Sequence, residues 1–99
     1  MTPTQVLEKF RFELANRIDR IRRGTMATGV TITQSADCVT VKIEWGPASW
    51  EKSYTVPDIL GGIFVLPQST WEIHKPYCQT TREIILEALN SRGVLWPSN

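Results

Sequence analysis

The residues of this chain whose types could do chemistry are His74 and Cys78, which lie four positions apart. An imidazole can remove the proton of a nearby thiol, and the resulting thiolate is a nucleophile. Catalytic pairs of this kind also need an oxyanion hole and an acid that orients the imidazole, and the sequence identifies neither of them. A small thiol enzyme is therefore an open alternative, while we assign no catalytic residue and expect the chain not to be an enzyme.

A metal site would have to combine Cys38 with His74 and Cys78. These three residues do not have the short spacings that are typical of zinc ligands. A nucleotide site has no support either, because Gly61 and Gly62 are not followed by the pattern of a phosphate-binding loop. We expect no metal and no cofactor. Because a chain of this size does not need a disulfide, we interpret both cysteines as free thiols.

Aromatic side chains outside the predicted core are a stronger signal, because Trp and Tyr are enriched where proteins meet. Phe12 lies about 160° around its predicted helix from the centre of the apolar stripe, so we expect its ring to face solvent. Two other aromatic residues fall in a predicted loop and one falls in the C-terminal tail. The aromatic candidates for partner binding are Phe12, Trp71, Tyr77 and Trp96.

The basic residues are concentrated at the start of the chain. The whole chain has 11 Lys and Arg against 10 Asp and Glu, a formal net charge of +1, which argues against a dedicated nucleic-acid binder. Ion pairs four residues apart are predicted between Glu13 and Arg17 and between Asp19 and Arg23. Arg20 and Arg23 are candidates for the rim of a protein interface. A nucleic-acid-binding module that uses this basic helix is the second alternative.

The element that must position these arginines is a helix predicted over residues 3–23. Thr2 and Gln5 have the spacing of a capping box, and a proline stands at the first helical position. Gly24 follows two arginines, a combination typical of a helix end with a left-handed cap. Apolar residues recur at intervals of three and four and form one buried stripe. The stripe consists of Leu7, Phe10, Leu14, Ile18 and Ile21.

Alternating apolar and polar residues predict three antiparallel strands, at about residues 28–34, 38–46 and 50–56. The turn between the second and third strands would let Trp45 and Trp50 pair across them. The face predicted to pack against the helices carries Val30, Ile32, Val39, Val41, Ile43 and Trp45.

The segment after the third strand fits a short helical turn followed by a possible fourth strand at residues 63–66. Residues 67–79 contain two prolines and show neither the helical nor the strand period, so a long loop is predicted there. Thr80 and Glu83 have the spacing of a second capping box and predict a helix over about residues 81–92.

This order predicts an α+β fold in one domain of residues 1–99, with two layers. An antiparallel sheet of three to four strands would carry the N-terminal and C-terminal helices on one face. No apolar run approaches the roughly 18 residues of a membrane span and no secretory signal is visible, so we expect a soluble, cytoplasmic protein. The expected function is protein–protein association through exposed aromatic residues. The partner would be a second copy, as in a homodimer or homo-oligomer, or another protein.

Overall fold

The computed structural model describes the backbone of residues 2–61 and 70–93, and the side chains of these residues apart from 61, 70–76 and 78. The elements in these segments are α1 (Pro3–Ala15), α2 (Ile18–Thr25), β1 (Gly29–Gln34), β2 (Cys38–Trp45), β3 (Ala48–Thr55), α3 (Val56–Gly61) and α4 (Thr70–Ser91). The strands form one antiparallel sheet in the order β1-β2-β3, and helices pack on it. The predicted α+β class is confirmed. The possible fourth strand at residues 63–66 lies outside the described residues.

The helix α1 begins at the predicted capping box. The Thr2 hydroxyl accepts a hydrogen bond from the Gln5 backbone N–H at 3.2 Å, and the Gln5 side-chain oxygen accepts one from the Thr2 backbone N–H at 2.9 Å. Pro3 follows at the first helical position, where a backbone N–H would have no partner within the helix. Local side-chain chemistry therefore determines where this helix starts.

The single helix predicted over residues 3–23 is two helices. α1 ends at Ala15, and Arg17, with φ −115° and ψ 13°, precedes α2. The Arg17 N–H donates to the carbonyl oxygen of Leu14 at 2.9 Å, only three residues back, so the last turn tightens and the regular helical pattern stops. The buried stripe continues across the break, since Leu14 and Ile21 are both fully buried.

The residue in the left-handed conformation after α2 is Met26, with φ 56°, and the prediction of Gly24 as the cap was wrong. Gly24 lies inside α2, where an added Cβ would come within 2.7 Å of Cδ1 of Ile85 on α4. A side chain at this position would therefore push the two helices apart or displace Ile85. Gly24 permits close packing of α2 against α4 instead of ending a helix.

The three strands lie within two residues of their predicted bounds, and the face that they bury is the predicted one. Val39, Val41 and Ile43 of β2 are fully buried, because a strand points alternate side chains to the same face of the sheet. Partly buried side chains complete the predicted face by packing against this core. They are Val30, Ile32 and Trp45.

The predicted pairing of Trp45 with Trp50 is not the pairing that forms. The register of β2 and β3 places Ala48 opposite Trp45 and Ile43 opposite Trp50. This register arises because the turn contains only two residues and β3 begins earlier than predicted. The Trp45 indole N–H instead donates to the backbone carbonyl of Thr25 at 2.7 Å. Trp45 thus connects the sheet to the end of α2.

The short helical turn predicted after β3 is confirmed as α3. The Asp58 carboxylate accepts a hydrogen bond from the Thr55 N–H at 2.9 Å, and the Thr55 hydroxyl accepts one from the Asp58 N–H at 3.3 Å. These reciprocal bonds satisfy backbone donors at the helix start. Hydrogen bonding to the Asp58 carboxylate from the Thr55 backbone N–H, and then from the Thr55 hydroxyl, holds the pKa of Asp58 below its usual value.

Within residues 67–79, predicted as a loop, the described part from residue 70 onward is helical. α4 runs from Thr70 to Ser91 and includes Pro76, a residue that removes one helical hydrogen bond. Buried side chains recur along the helix at intervals of three and four, and tertiary packing of such a stripe outweighs weak local propensity. The stripe consists of Tyr77, Thr80, Thr81, Ile84, Ile85, Ala88 and Leu89.

The second predicted capping box was also wrong. Thr80 and Thr81 are buried inside α4. The Thr81 hydroxyl donates to the carbonyl oxygen of Tyr77 at 2.8 Å, one turn back along the helix. A threonine can satisfy its hydroxyl in this way within a helix, so its presence does not mark a start.

Candidate functional site

The side chain of Phe12 is exposed, as its helical position predicts, with 56% of its surface accessible. It lines an open depression on α1 whose other residues are polar or charged, with both signs of charge present. They are Gln5, Glu8, Lys9 and Arg11. We call this set of five residues the Phe12 surface.

The charged groups of the Phe12 surface differ in whether they already form hydrogen bonds or ion pairs within the chain. Arg11 donates from Nε to the side-chain oxygen of Gln34 at 3.0 Å, and Lys9 bonds a carboxylate oxygen of Glu13 at 3.3 Å. Glu8 has no hydrogen bond or ion pair with any described part of the chain. A carboxylate without a partner therefore lies in the same depression as two basic groups and an exposed ring.

Arg20 and Arg23 line a second depression, between α2 and α4, with a volume of about 620 Å³. A third arginine, Arg82 of α4, lines the same depression. Its remaining lining residues carry no charge and are Gly24, Ile85 and Leu86. We call this the arginine groove, and all three arginines are exposed.

The arginine groove exists because α2 and α4 approach closely. Gly24 leaves room for Ile85, so that Arg20 and Arg23 on one helix face Arg82 on the other. Packing of Ile85, which is only 8% exposed, holds this contact in place. The positions of the guanidinium groups thus follow from a contact between residues some sixty positions apart in the chain.

One of the two predicted ion pairs of the basic helix does not form as predicted. Arg23 donates from Nε to the backbone carbonyl oxygen of Asp19 at 3.3 Å, and not to its carboxylate. Neither Arg20 nor Arg82 has a hydrogen bond or ion pair with the described residues. The acidic side chain of Asp19 is not among the residues that line the groove.

The other predicted pair is confirmed and is buried. Arg17 donates from Nη1 to a Glu13 carboxylate oxygen at 2.9 Å and to the Glu13 backbone carbonyl at 2.7 Å, and Glu13 is 6% exposed. Burial of the carboxylate raises the pKa of Glu13, but the hydrogen bonds and charges of Arg17 and Lys9 outweigh it and hold that pKa below its ordinary value. This cluster stabilises the inner side of α1.

Tyr77, one of the predicted partner-binding residues, is buried in the core. It is 8% exposed, its ring centroid lies 6.4 Å from that of Phe10, and the Arg17 guanidinium lies 5.6 Å from the ring centre. Burial raises the pKa of the Tyr77 phenol. Because α4 extends through the predicted loop, Tyr77 occupies a helix face that packs inward, and it is no longer a candidate for partner binding.

Four other residues singled out in the sequence lie partly or wholly outside the description. Trp71, His74 and Cys78 belong to α4, where the backbone is described and these side chains are not. His74 and Cys78 are therefore one helical turn apart along α4, and not in a loop. Trp96 lies outside the described residues.

Cys38 is a free thiol, half-buried at the start of β2. Its sulfur lies 3.4 Å from the Ser35 hydroxyl oxygen and 3.8 Å from that of Thr40. Hydrogen bonds from Ser35 first, and then Thr40, hold the pKa of the Cys38 thiol below its ordinary value. Among the described residues, no group of three His, Cys, Asp or Glu side chains could hold a metal ion.

Arg82 and Leu86 were missed as site residues in the sequence. Arg82 is the single cation near the predicted start of the second helix, and Leu86 lies off the predicted core face of that helix. The signal that distinguishes them is their spacing of four residues, which places both on one face of α4. This face can be identified as part of a site only when α2 is known to pack beside it.

No protein family, curated protein or solved structure matches this chain. No helix in the described part of the chain is long and apolar enough to cross a membrane.

Proposed function

We propose that this chain is a small, non-enzymatic binding domain that associates with protein, and that one such partner is a second copy bound through the Phe12 surface. The observation that carries the proposal is the exposure of 56% of Phe12 on a helix whose other large apolar residues are buried. An exposed aromatic ring that contributes nothing to its own core is a suitable anchor for an interface.

The charges of the Phe12 surface support a second copy as the partner. A dimer with twofold symmetry brings the same patch of both copies together, so the patch must complement itself. Glu8 has no partner in the described part of the chain, and Arg11 uses only one of its N–H groups on Gln34. Glu8 of one copy can therefore pair with Arg11 of the other around two facing rings.

The size of the Phe12 surface indicates a weak dimer. Stable interfaces bury roughly 1,200 Å² or more in total, whereas this patch has one large apolar side chain at its centre. We therefore expect association that depends on concentration and reverses quickly on dilution.

Sedimentation velocity over a wide range of protein concentration tests this proposal. We expect Phe12→Ala to weaken the dimer by about 2 kcal/mol, or roughly 30-fold in its dissociation constant. Leu60→Ala is the matched control, because Leu60 is 57% exposed and does not line the depression. A wild-type chain that stays monomeric at millimolar concentration, or an equal effect of both variants, would refute self-association through this surface.

A further inference from the structure

We infer that the arginine groove is a binding site for an acidic, amphipathic segment of another protein. The segment would place carboxylates against Arg20, Arg23 and Arg82 and an apolar side chain against Leu86. This inference goes beyond self-association, since it concerns a different surface and a different partner.

The charge of the groove requires an anionic partner. Among the described residues, three guanidinium groups and no carboxylate line it, and neither Arg20 nor Arg82 has a hydrogen-bond or ion-pair partner there. Arg23 uses Nε on the Asp19 carbonyl and keeps its remaining N–H donors. A guanidinium matches the two oxygens of a carboxylate with paired hydrogen bonds, so each arginine can receive one acidic side chain.

The apolar part of the groove favours protein over nucleic acid. Half-buried Leu86 lines the groove together with Ile85 and the bare backbone of Gly24. A phosphate backbone would contact the guanidinium groups and leave this apolar area without a partner. A peptide with an apolar side chain flanked by carboxylates covers both, and protein interfaces combine apolar centres with arginine in this way.

A second copy of the same groove cannot fill it. The two copies would bring six guanidinium groups together with no opposite charge from the lining residues, and like charges that face each other across an interface oppose binding. The arginine groove therefore needs a partner whose chemistry is unlike its own, in contrast to the Phe12 surface.

The test uses the full chain and fluorescent synthetic peptides rich in glutamate, with Leu, Phe or Ala at the centre, in fluorescence anisotropy titrations. We expect the Leu or Phe peptides to bind about tenfold or more tightly than the Ala peptide. Arg82→Glu and Arg20→Glu should each weaken this binding at least about tenfold, because they place a carboxylate against a carboxylate. Arg22→Glu is the matched control, since Arg22 is exposed on α2, the helix of Arg20, and does not line the groove.

Circular dichroism confirms that each variant is folded before it is titrated. Absence of binding by all the peptides at millimolar concentration would overturn the inference, and so would an equal loss in Arg22→Glu.

The same titrations with a short DNA duplex test the other class of partner. Tighter binding of the duplex, falling steeply between roughly 50 and 200 mM salt, would assign the groove to nucleic acid instead. None of these outcomes depends on whether Phe12→Ala weakens self-association.

Discussion

The Phe12 surface and the arginine groove differ in how they are built and in what they can bind. The Phe12 surface lies on one helix and mixes both signs of charge around an exposed ring. The arginine groove lies between two helices and carries one sign of charge beside half-buried Leu86. A mixed surface can complement a copy of itself, whereas a surface of one sign needs a partner of the opposite sign.

The two surfaces also depend on the fold to different degrees. The outward direction of Phe12 follows from the rotation of residues around α1, and it would persist in any packing that buries Phe10 and Leu14. The arginine groove disappears if α2 and α4 separate, because Arg82 reaches it only from α4. Changes that alter stability should therefore affect the groove more than the Phe12 surface.

The largest effect that we expect concerns the inner side of α1. Glu13→Gln should lower the free energy of unfolding at neutral pH by about 2 kcal/mol, because it leaves the partly buried Arg17 without its charged partner. Since the pKa of Glu13 is lower in the folded chain than its ordinary value of 4.5, this stabilisation is present above that pH and is lost as the pH falls below it.

Urea denaturation of Glu13→Gln and of the wild type across the acid range measures this difference. The two free energies of unfolding should converge as the pH falls. A constant difference at all pH values would contradict the role given to the Glu13 charge.

The next effect concerns the contact that forms the arginine groove. Gly24→Val should destabilise the chain by roughly 1 to 2 kcal/mol, because the new side chain meets Ile85 in a packed contact. It should also weaken binding of the acidic peptides, while leaving self-association unchanged. Gly29→Ala is the control, since nothing lies within 4 Å of a Cβ at Gly29. Thermal denaturation and fluorescence anisotropy measure the two effects. The prediction would be wrong if Gly24→Val were as stable as the wild type and bound the acidic peptides equally well.

The smallest expected effect is the coupling between the two surfaces. Their lining residues do not overlap, so the free-energy changes of Phe12→Ala and Arg82→Glu should add to within about 0.5 kcal/mol in the double variant. Peptide titrations at low protein concentration, where the chain is monomeric, provide the four values of the cycle. A coupling well above that limit would mean that the bound peptide contacts both surfaces.

The sequence was most informative where a local pattern acts alone. The capping box at Thr2 and the alternation around Val41 correspond directly to the start of α1 and to the inner face of β2. The exposure of Phe12 follows from the same reasoning, because helical phase needs no knowledge of other elements. One of the partner-binding candidates was therefore located correctly on the surface before the fold was known.

The sequence misled where a local signal opposed long-range packing. Pro76 and the hydroxyl of Thr80 both indicated a helix that begins late, yet the chain is already helical at Thr70. Burial of Tyr77 against Phe10 extends the helix upstream, and that contact joins residues far apart in the chain. The same contact moved Tyr77 from the predicted surface into the core.

Fold class, strand positions and the outward face of α1 can be read from this chain because they depend on periods of two and 3.6 residues and on hydrogen bonds between near neighbours. The break at Arg17, the length of α4 and the convergence of Arg20, Arg23 and Arg82 depend on which surfaces come together. Hydrophobic burial has no direction of its own and is summed over the whole core. Packing between distant segments therefore placed the arginines of α2 and α4 around one groove.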